Sequence, residues 1–244
     1  MATEPAAGTD PAPQRVLVVD DDAMVAEVVT AYLERAGIAV TRAASGVEAL
    51  DRVATWAPDL VVLDLTLPDL DGLAVCQRIR VHRPALPVVI LTARGDEDER
   101  VLGLQTGADD YVTKPFSPRE LVLRVQSVLR RSGSGPAAAA APTAEIIDGD
   151  LRVDPVAHRA CLDGEELPLT AREFDLLAHL MSNPGRAMSR EELMRAVWGW
   201  EYGDQTTVTV HVRRLREKVE ADPAEPVRLV TVWGVGYRWD PHGT

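Results

Sequence analysis

The 244-residue sequence contains only two cysteines, Cys76 and Cys161, far apart and in different halves of the chain. Neither has a CxxC partner. That excludes a thiolate metal site and a disulfide framework, and both read as packing thiols in a reducing, cytoplasmic compartment. No apolar run approaches the length of a membrane span. The first 14 residues carry no basic stretch and no apolar core, which excludes a signal peptide; rich in Ala, Pro and Thr, they read as a disordered tail. Positive charge is short as well. The 26 Lys+Arg stand against 38 Asp+Glu, a formal net charge of −12, so the chain is not a broadly basic nucleic-acid binder. Neither a P-loop nor a GxGxxG turn for nucleotides is present. What is there is an apolar content of 46%, enough for the cores of one or two domains.

Residues 59–64, DLVVLD, form an apolar run of strand length that ends in the carboxylate of Asp64. Such a run suggests a strand covered on both faces, as in a parallel sheet. Pro68 and Gly72 mark the turn that leaves it. The neighbours repeat the pattern. Strands are expected at 15–19, ending in Asp20, Asp21 and Asp22, at 38–42, at 87–92 and at 110–113. Helices are expected at 24–36, closed by Gly37; from Ser45 to about 54, with Glu48 completing a capping box; at 70–82; at 96–106, stopped by Gly107; and from Ser117, backed by Glu120, to 131. Fivefold strand–helix alternation gives an α/β fold, a flavodoxin-like (βα)5 domain over 15–131 with strand order 2-1-3-4-5.

Residues 132–144, rich in Gly, Ser and Ala, read as a linker that spans at most roughly 43 Å when extended. Residues 145–241 change pattern. Short strands at 146–147, 151–153, 159–162 and 166–169 precede helices capped by Thr170 with Glu173 and by Ser189 with Glu192. A third helix runs from about 204 to 220, and a hairpin closes the chain. Three helices and a closing hairpin make a winged helix-turn-helix, an α+β domain.

In the strand order 2-1-3-4-5, Asp20, Asp21, Asp64, Thr92 and Lys114 converge on one sheet edge. Three carboxylates together repel unless one is protonated or a cation lies among them. All-oxygen ligation favours a hard ion such as Mg2+. A carboxylate, a divalent ion, a lysine and a hydroxyl suit a phosphoryl group, with Asp64 as nucleophile.

This constellation, with the stretch GADDYVTKPF at 107–116, resembles the receiver domain of two-component response regulators. The resemblance implies that Asp64 takes a phosphoryl group from a phosphohistidine on a sensor histidine kinase. It further implies that Asp21, Asp64 and the Thr66 carbonyl ligate Mg2+, with Asp20 reached through water. Thr92, the Ala93 amide and Lys114 then hold the phosphoryl oxygens, and Tyr111 is the switch aromatic that follows Thr92 inward. A haloacid-dehalogenase-like phosphatase needs a second acid two residues after its nucleophile. That position is Thr66, so a hydrolytic enzyme is disfavoured.

Residues 145–244 carry 12 Lys+Arg and 18 Asp+Glu, a balance of −6, so a DNA surface must rest on where the charges lie. On the third helix Val208, Val212, Leu215 and Val219 form one apolar stripe. The opposite side carries Thr206, Thr207, Val210, Arg213 and Arg214, flanked by Arg216 and Lys218. Arginine suits guanine or phosphate, and Val210 a thymine methyl. The stretches LTAREFDLL at 169–177, 208–216 and GVGYR at 234–238 resemble the winged-helix output domain of the OmpR/PhoB family. The wing, with Thr231, then touches promoter DNA, although Trp233 stands where the family usually has a basic residue. The family also implies a phosphorylation-dependent homodimer through the fourth helix, fifth strand and fifth helix, with Arg100 facing Glu120, Asp110 facing Arg124 and Asp109 facing Arg131. Control by partner binding or concentration, with Asp64 silent, is the alternative.

Overall fold

The computed structural model describes residues 13–93, 107–132, 144–199 and 205–241. The expected helix at 96–106 and most of the linker lie outside the described residues.

Five parallel strands, β1 (Arg15–Val19), β2 (Ala39–Ala43), β3 (Leu60–Asp64), β4 (Val88–Ala93) and β5 (Asp110–Lys114), form one sheet in the order β2-β1-β3-β4-β5. Alternation along each strand sends its side chains to two separate cores. Val16, Val18, Leu60, Val62, Val89, Leu91 and Val112 pack with Val29, Leu33, Leu121 and Val125 from helices Ala23–Arg35 and Pro118–Ser132. Leu17, Val19, Val61, Leu63, Val88 and Ile90 pack with Ala49, Val53, Val75 and Ile79 from helices Gly46–Thr55 and Gly72–His82. Burial on both faces is why these strands read as unbroken apolar runs. Cys76 is buried in the second core, and both cysteines are free.

Local chemistry sets the helix starts, with one departure. Ser45 accepts from the Glu48 amide, but Glu48 reaches back to the Ala44 N–H (3.0 Å), one residue beyond the N-cap amide that a capping box uses. In the second domain both expected boxes form, Thr170 with Glu173 and Ser189 with Glu192.

The second domain begins with four antiparallel strands, Ile146–Asp148, Leu151–Asp154, Arg159–Leu162 and Glu165–Glu166. The last is shorter than expected and starts a residue earlier. Leu167 N–H still reaches Ala160 O, and Pro168, with no N–H, ends the ladder. Helix Ala171–Met181 follows. Helix Arg190–Leu193 widens into a π-turn, Met194–Trp198, and stops at Gly199 (φ +79°). The third helix is Thr206–Val219. The hairpin Leu229–Val232/Gly236–Trp239 pairs with Met188–Ser189 in a three-stranded sheet. Trp239 donates to Asp148 (2.9 Å) and joins the two ends of the domain.

Candidate functional site

The sheet edge at the C-terminal ends of β1, β3 and β5 brings together Asp20, Asp64 and Lys114. The Lys114 ammonium lies 2.9 Å from Asp20 Oδ2 and 3.1 Å from Asp64 Oδ1. Asp20 Oδ1 accepts from the Asp22 amide (2.9 Å), so Asp20 is fixed through both oxygens. Carboxylate oxygens of Asp20, Asp21 and Asp64 lie within 4.8 Å of one another; Asp20 and Asp64 are buried and Asp21 is exposed. Burial, reinforced by Asp20, holds the Asp64 pKa above the carboxylate range, with Lys114 working against the rise. Burial also opposes the Lys114 charge, but Asp20 and Asp64 outweigh it and raise its pKa. One ammonium among three carboxylates leaves a local excess of negative charge, and the donor set is all oxygen. Those residues fit a hard divalent cation held by Asp21 and Asp64, with Asp20 behind and the exposed Thr66 next in the loop.

Thr92 is buried near the end of β4, and alternation puts it on the face of Ile90. Ile90 is in register with Tyr111, which packs half-buried against that same core layer. The expected switch pair therefore shares one face.

The loop after Asp64 is braced from both ends. Gly72 N–H donates to Leu65 O (2.9 Å), and a Cβ on Gly72 would meet Asp64 O at 2.4 Å, so only glycine lets the loop pass this close. Asp69 reaches across to accept from the Gly46 (2.7 Å) and Val47 (2.9 Å) amides, capping another helix. Those amides hold its carboxyl down to about 2. Sequence reasoning missed this role, because Asp69 caps a helix that begins 23 residues earlier.

On the third helix the expected stripe, Val208, Val212, Leu215 and Val219, lies in the core. The opposite side is not free, a correction to the sequence reading. Thr207, Val210 and Arg214 are only 1%, 6% and 8% exposed. Arg214 pairs with Glu173 (2.5 Å) and donates to Ala108 O (3.4 Å) of the first domain. Three further expected DNA contacts are tied within their own domain. Arg216 donates to Leu229 O and to Thr231 Oγ1 (2.8 Å), and Lys218 donates to Glu173 (2.6 Å) and Pro168 O. Arg213 is exposed, 3.4 Å from Glu217, and Thr206 is half-buried. Trp233 is 91% exposed at the hairpin tip.

A polar seam joins the domains. Ser127 donates to Trp198 O (2.6 Å), Trp198 Nε1–H to Asp109 O (3.1 Å) and the Arg172 amide to Asp109 Oδ1 (3.3 Å). His211 meets the Trp198 ring edge-on, with centroids 5.0 Å apart, and its Nδ1–H donates to Thr207 O (2.8 Å). Burial first, then Arg214, pushes His211 down to about 4. The seam also takes residues expected at a dimer interface. Asp109 and Asp110 are fully buried. Asp109 binds Arg80 (2.6 Å) of its own chain, while Arg124 bridges Asp110 (3.3 Å) and Glu120 (2.6 Å). Arg100 and the side chain of Arg131 lie outside the described residues. No sequence signal marked Ser127, Trp198 or Arg172, whose seam partners stand 63 to 89 residues away.

Residues 16–126 match the response regulator receiver domain, and residues 164–239 match the C-terminal domain of transcriptional regulatory proteins. The chain is 44% identical over 230 residues to the transcriptional regulatory protein ResD of Bacillus subtilis, spanning 93% of this chain and 95% of that one. It is equally identical over 230 residues to the DNA-binding response regulator MtrA of Mycolicibacterium paratuberculosis, spanning 93% and 99%. A RitR mutant superposes with a TM-score of 0.74 at 27% identity, over 93% of this chain and 99% of its own. DrrB of Thermotoga maritima, described as an OmpR/PhoB homologue, gives 0.50 at 34% identity over the same shares.

Proposed function

The chain belongs to the OmpR/PhoB family of two-component response regulators, and from that premise we propose that Asp64 is the phosphoacceptor that controls binding of its winged helix to promoter DNA. An Asp64 carboxylate oxygen attacks the phosphorus of a phosphohistidine on a sensor kinase. The P–O bond forms, the P–N bond breaks and the imidazole leaves. Asp21, Asp64 and the Thr66 carbonyl, with Asp20 behind them, would hold Mg2+, which would supply neutralisation of charge on donor and acceptor. Lys114 meets the oxygens of the transferred group, and Thr92 follows with its hydroxyl, drawing Tyr111 inward along their shared face. No catalytic turnover follows, because Thr66 supplies no second acid. Among the described residues no helix is long and apolar enough to cross a membrane, and the reading places the chain in the cytoplasm.

The seam supplies the coupling in this reading. Among the described residues, hydrogen bonds from Ser127, Arg172, Trp198 and Arg214, each a net ~1 kcal/mol, help hold the domains together. Arg172 Nε and Nη2 and His211 Nε2 are buried there with no hydrogen-bond partner, which offsets part of that gain. A coupling of about 1–3 kcal/mol then suffices to shift the balance. Opening releases Arg214 from Ala108 O, and DNA contact by Thr207 and Val210 requires that they be uncovered as well. Opening also uncovers Asp109 and Asp110 for a homodimer with Arg100, Glu120, Arg124 and Arg131. Because Asp110–Arg124 already exists within one chain, dimerisation exchanges that pair for an equivalent one, and apolar contact must supply the gain.

The observation that carries the reading is the convergence of Asp20, Asp64 and Lys114. Wild type and Asp64→Asn are incubated with acetyl phosphate and Mg2+ and weighed intact. Wild type gains one phosphoryl group and Asp64→Asn none; labelling of Asp64→Asn at the wild-type level sinks the assignment.

A further inference from the structure

The recognition helix is largely covered, but the wing tip is not. Val235 N–H donates to Val232 O (3.0 Å) to close the turn, and Gly234 takes φ +77°, which leaves Trp233 at the apex. Trp233 is 91% exposed and Val235 is 47% exposed beside it, while the other described hairpin aromatics, Tyr237 and Trp239, are buried. The tip has no free charge of its own. Arg238 on the returning strand is clamped by Asp240 through two bonds (2.5 and 2.6 Å), and Arg216 is spent on Leu229 and Thr231.

Those same bonds fix the tip relative to the helix. Arg216 holds the strand that leads to Trp233, and Tyr237 on the returning strand shares a hydroxyl contact with Thr209 (3.4 Å). Both strands that flank Trp233 are thereby tied to the helix that carries Arg213 and Thr206.

Resting on the DNA-binding reading, we propose that Trp233 is an affinity-determining contact residue that packs its indole against the deoxyribose edges of the duplex beside the helix footprint. Its contact is apolar and insensitive to salt. A flat aromatic with one N–H donor buries large area against sugar and reaches at most one acceptor. It brings no cation for a narrow A·T minor groove, so this wing is indifferent to groove width where an arginine would not be.

The test uses the full chain activated with beryllofluoride and a duplex recovered by wild type from a random pool. Trp233→Ala weakens binding about tenfold and leaves the slope of log K against log salt unchanged. Trp233→Arg steepens that slope by about 0.9 and adds preference for A·T pairs beside the footprint. The duplex also shields Trp233 from acrylamide, an emission change absent in Trp233→Phe. Unchanged affinity of Trp233→Ala overturns the proposal, and so does a slope that flattens with the loss. Unchanged single-site affinity with lost cooperativity on a two-site duplex overturns it too, assigning the tip to a second copy. Arg213→Ala separates the two levels. If it is also silent, DNA binding by this helix fails and the proposal falls with it; if it flattens the slope while Trp233→Ala is silent, only the present inference fails.

Discussion

The two functional faces are assembled in opposite ways. At the sheet edge, Asp20 and Lys114 come from positions 94 residues apart yet sit in hydrogen-bonding contact, with Asp21 still exposed to take a ligand. At the third helix the relevant residues are near neighbours in sequence, yet Thr207, Val210 and Arg214 are buried and Arg216 and Lys218 are tied down. The first face gathers its groups with Asp21 left at the surface. The second is held back, Arg216 and Lys218 by partners in their own domain and Arg214 by Glu173 together with Ala108 O of the first domain.

The largest effect on that contrast is expected from Glu173. It is fully buried and holds Arg214 and Lys218 together, and these two cations outweigh burial to lower its pKa. Glu173→Gln leaves two partly buried cations short of a charge and costs about 3–5 kcal/mol in urea unfolding. A loss under 1 kcal/mol means the cluster is solvated in practice. Gly72→Ala attacks the other face. A methyl group there meets the Asp64 backbone, and a cost of about 1–3 kcal/mol is expected, together with slower labelling by acetyl phosphate. Destabilisation with normal labelling would show that the loop adjusts without moving Asp64.

Much of this was legible in the sequence, for a physical reason. Strands buried on both faces must be apolar throughout, so their ends announce themselves, and one handed topology then brings Asp20, Asp64 and Lys114 together. The capping boxes at Thr170 and Ser189 are local and form as read. What the sequence could not display was partnership over distance. Arg216 reads as a DNA contact by its spacing, but the carbonyl of Leu229 claims it. Asp109 and Asp110 read as surface charges, and Arg80 and Arg124 satisfy them from within the chain. Amphipathic periodicity says which side of a helix avoids the core; it does not say whether a second domain waits there.

The smallest effect is a pH dependence. Burial lowers His211 from its ordinary 6.5 to about 4, so its stabilisation is complete above pH 6.5 and is lost as pH falls toward 4. Burial raises Asp110 from 3.8 to about 7, so its contribution runs the other way, present at low pH and lost as pH rises through 7. Between pH 7 and 5 the two oppose each other, and wild-type stability changes little. His211→Gln should make stability rise on acidification, and Asp110→Asn should make it fall. Chemical denaturation across that range checks both, and identical profiles for the two variants would remove these groups from the seam.

Withholding of the recognition face by the receiver is tested most directly at Ser127, a receiver residue that touches Trp198 across the seam and is not among the proposed DNA contacts. Ser127→Glu places a charged, longer side chain in the contact and favours the open form. In the absence of any phosphoryl donor, its affinity for a wild-type-selected duplex should rise about tenfold toward the phosphorylated value, because apparent affinity scales with the fraction that is open. The phosphorylated protein should gain little. Unphosphorylated Ser127→Glu that binds DNA no better than unphosphorylated wild type, with its fold intact by circular dichroism, would contradict the claim.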